Sequence, residues 1–441
     1  MKNPYFLFSF CLLLCACGSE PSDDEKDSLA AGDPDTVATY AADIELPPPY
    51  ATESVRNSSD VIGWGDSLMP KAPDGFTVTK YAGDLDSPRW LYVLPNGDVL
   101  VAEAKKAHGV KTVIDVVTGK NKESRESEYA NRITLLRDKN GDGVPEVRTA
   151  FLEGLNKPFG MLLLNNYIYV ANTDAVMRFP YTTGATSITA KGEKLAELSG
   201  DARHWTRGLL ADESGKKIYI SVGSASNVGE NGMDEEKNRA CILEMNPDGS
   251  GLRVFADGLR NPVGMAWGPG TNTLWTVVNE RDELGDDLVP DYLTSVQDGG
   301  FYGWPYSYFG QHKDPRFEEK DQRNDLVSRA IVPEVSLGAH VSALGLAFYE
   351  QKSFPSKYHN GAFIGLHGSW NRSVLSGYKV VFVPFVNGRP GQPEDFLTGF
   401  IADLSKSKVY GRPVGVAVLP DGSLLVADDA GNTIWRVSYG K

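Results

Sequence analysis

"GRPVGVAVLPDGSLLVADDAGNTIWRVSY", residues 411–439, decides the fold. A basic residue and a proline open a run of small and apolar residues. An Asp-Gly turn follows, and a strand of period-two pattern returns from it. A further strand then starts at "NTIWRVSY". The same order recurs upstream in "SPRWLYVLPNGDVLVAEA" from Ser87, "NKPFGMLLLNNYIYVANT" from Asn156 and "HWTRGLLADESGKKIYISVGS" from His204. It recurs again in "LRNPVGMAWGPGTNTLWTVVNE" from Leu259 and in "HVSALGLAFYEQ" with "NGAFIGLHGS" from His340. Further strands follow most copies, as in "NRITLLRD", "AVMRFPY", "NRACILEMN" and "GYKVVFVPF". Repeats of roughly 45 to 80 residues with three or four strands each and no periodic helix predict an all-β, six-bladed β-propeller. The last strand, "TIWRVSY", is expected to pair with the early "FTVTKYAG" and close the ring. A β-sandwich or two small barrels would leave six ordered matches unexplained.

The chain has 441 residues, 41% of them hydrophobic, enough for a large core. A formal charge of −14 repels phosphate backbones and anionic lipid, so nucleic acid is not expected as a partner. Residues 1–17, "MKNPYFLFSFCLLLCAC", join a lysine to an apolar run too short to span a bilayer, the pattern of a secretory signal peptide. Leu14-Cys15-Ala16-Cys17 resembles a bacterial lipobox, with Cys17 as the lipidated residue. A periplasmic or cell-surface lipoprotein is therefore expected, anchored to the outer membrane and touching lipid only through Cys17. Three of the four cysteines lie in this segment, and Cys241 alone has no intrachain disulfide partner in the body. Residues 18–60 are rich in Ser, Asp, Glu, Pro and Ala and read as a disordered, flexible linker, leaving 61–441 as the propeller domain. Charged residues 105–131 and residues 281–339, with "DGGFYGWPYSYFG", interrupt the repeat as insertions expected to cover a site.

In a propeller, equivalent repeat positions gather in a ring at one end of the axis. The opening positions are Arg89, Asn156 with Lys157, His204 with Arg207, Arg260 with Asn261, His340, and Arg412. An acidic chain that concentrates cations at one place suits an anionic ligand, and planar guanidinium groups suit carboxylates. The alternative is that each arginine pairs with an acid of a neighbouring blade. His204, followed by Trp205, is a candidate general base, because a neutral imidazole takes a hydroxyl proton near neutral pH. His367, in "GLHGSWNRS" with Trp370, Asn371 and Arg372, is either a loop-tip residue or a second pocket histidine. Trp304 in "YGWP" is a candidate stacking surface or a turn residue.

"DKNGDGVPE" sets Asp138, Asn140 and Asp142 at alternate positions before Gly143, the oxygen spacing of calcium loops. Either Glu146 completes a short calcium loop of structural role, or the stretch is a metal-free hairpin. "NERDELGDD" is a second acidic loop, which offers Asp282 or backbone carbonyls to another calcium or is simply solvated. No His or Cys spacing suggests zinc, and no CxxCH suggests haem.

The motifs "HWTRGLL", "LRNPVGMAW", "GGFYGWPYSYFG", "LHGSWNRS" and "GRPVGVAVLPDGSLLVADDAGNTIWRV" occur in this order. Over roughly residues 70–440 the chain resembles the sorbosone dehydrogenase and pyranose dehydrogenase group, relatives of the soluble quinoprotein glucose dehydrogenases. The resemblance implies a propeller that binds pyrroloquinoline quinone and calcium at its axis and oxidises sugars or related polyols by hydride transfer. It implies His204 as the proton-abstracting base, with His367 as the alternative. It assigns Arg260, Asn261 and Arg412 to the cofactor, with Arg89, Asn156, Trp205 and Arg207 beside them. The electrons would leave to a separate acceptor, a cytochrome or a quinone. Two departures stand out: Arg203 precedes His204 where the soluble glucose dehydrogenases have an acid, and "ERDELGDD" replaces their Gly-Pro calcium loop. Competing readings are a calcium-dependent lactone or ester hydrolase, which would want acidic and amide ligands at the axis, and a propeller that only binds carbohydrate or protein.

Overall fold

Each copy of the repeated hairpin supplies two adjoining strands of one antiparallel sheet in the computed structural model, which describes residues 44–103, 130–200 and 203–440. The first strands of the hairpins are β1 (Pro88–Val93), β2 (Met161–Leu164), β3 (Arg207–Ala211), β4 (Pro262–Trp267), β5 (Ala343–Phe348) and β6 (Pro413–Val418). Each heads one of six four-stranded sheets among the described residues. Each of these strands lies against the next in chain order, and β6 returns to β1. The protein is thus almost wholly β, a closed arrangement of the β-propeller kind.

The recurrent glycine of the repeat explains how the ring closes so tightly. A Cβ on Gly264 would stand 2.7 Å from Leu344 O of the neighbouring strand, and one on Gly415 would stand 2.7 Å from Arg89 O. Gly160, Gly208 and Gly345 meet neighbouring backbone in the same way. Only a residue without a side chain permits that approach. On the axis, Phe159, Val263, Leu344 and Val414 pack together with Trp90 and Trp205, so an apolar plug fills the channel. The hairpins' returning strands, such as Val99–Glu103, Ile218–Val222 and Leu424–Asp428, are buried along their whole length because both faces meet another sheet.

The expected closure is present: Thr433–Tyr439 pairs antiparallel with Phe76–Ala82, so the sixth sheet joins both ends of the domain. Just ahead of it, Trp64 donates its indole N–H to Asp428 (2.6 Å) and stacks on Tyr410. Of the stretch expected as a linker, residues 18–60, the part before residue 44 lies outside the described residues. Its part from residue 44 lies on the body, with Ile44 and Leu46 against the cluster around Leu284 and Tyr302 and with Tyr50 N donating to Leu284 O (2.8 Å). Apolar side chains and backbone pairing hold it there, signals that its polar composition hides. The signal segment with Cys17 and most of the 105–131 insertion lie outside the described residues. The 281–339 insertion holds a short helix, Asn324–Val327, and supplies the outer strand Val335–Ala339 of the fourth sheet.

Candidate active site

Strand register decides which loops meet. The start of each first strand pairs with the end of the next strand, as in Arg207 with Val222, Pro262 with Val278, Ala343 with Leu366 and Pro413 with Asp428. Loops before the first strands and loops after the second strands therefore share one end of the ring. There a cavity of about 220 Å3 is lined by Arg89, Arg203, His204, Trp205, Arg260, Asn261, Asn279, Asp282, His367 and Trp370, with Leu344 of the axial plug among them. A larger cavity of about 860 Å3, around Asp212, Trp267 and Glu350, is built from turns at the opposite end.

Two imidazoles reach the first cavity, each locked in one tautomer. His204 Nδ1 lies 2.9 Å from Ser224 O and 3.1 Å from Ser224 Oγ. The Ser224 hydroxyl gives its own hydrogen to Ser226 O (2.6 Å), so Nδ1 is the donor to both oxygens and Nε2 carries the lone pair. Burial and the nearby Arg260 and Arg203 hold this imidazole well below its usual range, hence neutral. His367 presents the opposite tautomer. Its Nε2 lies 2.9 Å from Asp429 Oδ1, which makes Nε2 the protonated nitrogen and leaves the lone pair on Nδ1. Burial and Arg412 push its pKa down to about 4, while Asp429 works in the other direction. Burial alone would raise Asp429, but His367 and Arg89 more than reverse this and keep it ionised.

The arginines divide into those that line the cavity and those that build it. Arg89 lines it, with Nη1 2.6 Å from Asp429 Oδ2, its guanidinium over the Trp205 ring, and a buried Nε that has no partner among the described residues. Arg260 also lines it but is already fully engaged: Asn227, Asn279, the Glu280 carbonyl and Asp282 (2.9 Å) surround its guanidinium. Its neighbour Asn261 is buried, and its Oδ1 has no partner among the described residues. Three expected cofactor residues are not at the cavity wall. Arg207 is buried beneath the loop and donates to the carbonyls of His204, Thr206, Ser199 and Gly200, because that loop turns its carbonyls inward. Arg412 donates to the carbonyls of His367 (3.1 Å) and Gly368 (2.9 Å) and so fixes the His367 loop. Asn156 is exposed. His340 is buried behind the cavity with Nε2 on Gly285 O (2.8 Å), and Asp282 outweighs burial to raise its pKa. Trp304 is buried with its N–H on Asn227 O (3.0 Å), a structural position and not a stacking surface.

Asp282 is the hub of this side. It sits 2.9 Å from both Arg203 and Arg260 and 3.6 Å from His340 Nδ1, and these cations overcome burial to hold it well below the ordinary carboxylate range. It is thus a counter-ion, with Oδ2 shared by the two arginines and Oδ1 towards His340. The 138–146 loop lies at the far end of the first sheet, since Val93, Val99 and Leu136 are paired there. Its oxygens accept backbone N–H groups: Asp138 from Gly141 and Gly143, Asn140 from Asp142, Asp142 from Val144, and Glu146 from Lys139. Among the described residues no three His, Cys, Asp or Glu side chains come together as a metal site. Sequence reasoning missed Asp429 and Ser224. Both stand within two residues of the end of a second strand, where "GSASN", "HGSWN" and "DDAGN" recur, so the repeat carried the signal.

Fold and cavity together define a β-propeller-like protein with a recessed site that combines cations with neutral imidazoles. The chain belongs to the TrAA12-like family, whose pattern matches residues 70–291 and 307–440. The resemblance to the quinoprotein sugar dehydrogenases is borne out, and the protein is an oxidoreductase. It is 30% identical over 175 residues to aldose sugar dehydrogenase YliI of Escherichia coli, a match that covers 37% of this chain and 44% of that protein. In structure it is similar to the calcium structure of a Trichoderma reesei carbohydrate-active enzyme of family AA12, with a TM-score of 0.70 and 19% identity over 87% of this chain and 99% of that one. It is also similar to the holo form of the pyranose dehydrogenase PQQ domain of Coprinopsis cinerea, with a TM-score of 0.67 and 19% identity over 85% and 98% of the two chains.

Proposed function

We propose that the protein oxidises an aldose or related polyol in a cup at one end of a six-bladed propeller, by hydride transfer to pyrroloquinoline quinone. One observation carries the reading: two neutral imidazoles, fixed in opposite tautomers, share a cavity with three guanidinium groups. A planar tricarboxylate fits these residues. Among the described residues, Asp282 is the sole carboxylate lining the cavity against Arg89, Arg203 and Arg260. The unpartnered Arg89 Nε and the Asn261 amide offer polar contacts, and Trp205 offers a ring face. When bound there, the quinone supplies the electrophilic carbon that takes the hydride.

The chain's own part is proton handling and orientation. His367 Nδ1 takes the hydroxyl proton as the C–H bond gives up its hydride, and the positive charge that arrives on the ring is met by Asp429. Arginines oppose a proton on either ring, Arg412 and Arg89 at His367 and Arg260 and Arg203 at His204, but only His367 has a carboxylate on its other ring nitrogen, so His204 Nε2 serves better as an acceptor that orients a second hydroxyl. The apolar floor of Leu344 and the axial plug keep water from entering from below. No step is drawn through calcium, since Asp282 is committed to cations and no three acidic or imidazole side chains of the described residues gather in the cup as a metal site. In this reading the electrons pass on to a separate acceptor, a cytochrome or a quinone, and Cys17 anchors the protein outside the cytoplasm.

The test is to load the purified protein with the quinone, with and without calcium, and follow dye reduction over a panel of aldoses. Quinone-dependent reduction is expected. Stoichiometric quinone uptake without oxidation of any sugar would overturn the reading.

A further inference from the structure

The segment ahead of the first sheet does more than lead into it. Residues 50–57 run along the rim of the cup and are held there by paired polar groups. Gly285 N donates to Ser54 Oγ (3.1 Å), Asp286 N donates to Thr52 Oγ1 (2.7 Å), Asn371 Nδ2 donates to Val55 O (2.7 Å) and Asn57 N donates to Trp370 O (2.8 Å). Between this strap and the loops of the fourth and fifth sheets lies a second cavity, of about 700 Å3, with Glu53, Arg56, Glu283 and Asn371 in its wall. It adjoins the cup through one side chain. Trp370 lines the cup, and the guanidinium of Arg56, from the wall of the second cavity, lies 5.2 Å from the centre of its ring.

The composition of the second cavity narrows its ligand. The side chains of Glu53, Glu283 and Arg56 make no hydrogen bond or ion pair to another described residue, so two carboxylates and one guanidinium keep their hydrogen-bonding groups for the space. Two carboxylates against one guanidinium disfavour an anion, and the wall is too polar for an apolar ligand. Hydroxyl-rich neutral molecules satisfy both kinds of group at once. Glu283 also has φ of 73°, an uncommon conformation held in place by the Asn371 side chain, which accepts from Glu283 N (2.8 Å).

We infer that this second cavity is a saccharide subsite, so that the preferred substrate is an oligosaccharide whose end unit enters the cup while the next unit lies against the strap. The inference rests on the oxidation reading for the end unit but makes its own demand on binding. Calorimetric titration of the quinone-free protein with maltotriose, cellotriose and xylotriose, each against its monosaccharide, is one arm. Steady-state oxidation of the same sugars by quinone-loaded protein is the other. At least one trisaccharide is expected to bind more tightly than its monosaccharide and to show a KM about tenfold lower. Arg56→Ala and Glu53→Gln, both at exposed positions, should each weaken trisaccharide binding about fivefold, the loss of one hydrogen-bonded contact, and leave monosaccharide KM and kcat unchanged. Equal affinities for all trisaccharides and their monosaccharides would overturn the inference while leaving the oxidation reading intact. So would variants that affect both sugar lengths alike. Trisaccharide binding that depends on Arg56, without oxidation of any sugar, would sustain the subsite and overturn the oxidation reading instead.

Discussion

Replacing Asp429 by Asn separates the charge behind His367 from its shape. The carboxylate accepts from His367 Nε2 at 2.9 Å and from Arg89 Nη1 at 2.6 Å, and the amide has one oxygen to offer in its place. While the imidazole is neutral, that change costs about the difference between a charge-assisted and an ordinary hydrogen bond, roughly 1 kcal/mol. When His367 gains a proton during the reaction, the lost ion pair adds about 1 kcal/mol to it, and only this extra cost, absent from the neutral ground state, enters kcat, a loss of roughly fivefold. KM should move little, since Asp429 does not line the cavity. The pH profile gives a second readout. With the His367 pKa at about 4, activity of the parent should fall as pH drops through that value, because the protonated ring no longer accepts a proton. Asp429 raises this pKa, so the variant's acid limb should lie lower still. Stopped-flow reduction of the loaded enzyme from pH 3.5 to 8, for Asp429→Asn, His367→Ala and the double variant, checks both points. If Asp429→Asn slows the His367→Ala protein by the same factor as the parent, Asp429 does not act through His367 and the reasoning fails.

Asp282→Asn leaves Arg203, Arg260 and His340 without their shared counter-ion and should destabilise the fold by about 3 kcal/mol in urea titration at pH 7. Because the folded-state pKa of Asp282 is depressed, its contribution in the parent is present above the ordinary carboxylate pKa of about 4 and is lost as pH falls below it. The gap between parent and variant should therefore shrink in strong acid, and a gap that stays constant would count against the ion-pair account. Asp428→Ala removes the acceptor for the Trp64 and Trp435 indoles and for Arg412 N and Gly431 N, and at about 1 kcal/mol per bond it should cost roughly 4 kcal/mol by thermal or chemical melting. Trp64→Phe, which loses one of those bonds, should cost markedly less. Gly264→Ala forces a methyl group to within 2.7 Å of Leu344 O and should destabilise by about 1–3 kcal/mol or shift β4 away from β5, visible as a lowered melting temperature. A neutral outcome would mean that the inner strands are not in close contact.

The parts legible in the sequence are those the repeat encodes. "PVGVAV", "RGLL" and "FGMLLL" put glycine where inner strands touch, and the closing pair of "TIWRVSY" with "FTVTKYAG" follows from a last repeat that supplies three strands and takes its fourth from ahead of the first. The repeat also placed His204, Arg89 and Arg260 at one end, because register carries equivalent positions to equivalent heights. It could not show which guanidinium groups are already spent. Arg207 and Arg412 look like Arg89 in the sequence, yet they bind carbonyls of loops whose turns no periodic pattern describes. The same limit explains the calcium loop: alternate oxygens in "DKNGDG" suit a metal and suit the backbone amides of a tight turn equally well.

Ring geometry also explains why a strongly acidic chain holds a cationic cup without precise charge balance elsewhere. Charges brought together from different sheets are paired across sheet boundaries: Arg89 of the first sheet with Asp429 of the sixth, Arg203 ahead of the third with Asp282 of the fourth, and His367 of the fifth with Asp429 of the sixth. Each such pair ties neighbouring sheets at the same height at which it shapes the cavity, so the groups that tune the imidazoles also close the ring. Loss of Asp429 should then affect proton transfer and ring closure together, while loss of Asp428, one residue away but facing Trp64 and Trp435, should affect closure alone. That contrast between adjacent aspartates, one reporting through kcat as well as melting and the other through melting, separates the chemistry of the cup from the mechanics that hold it.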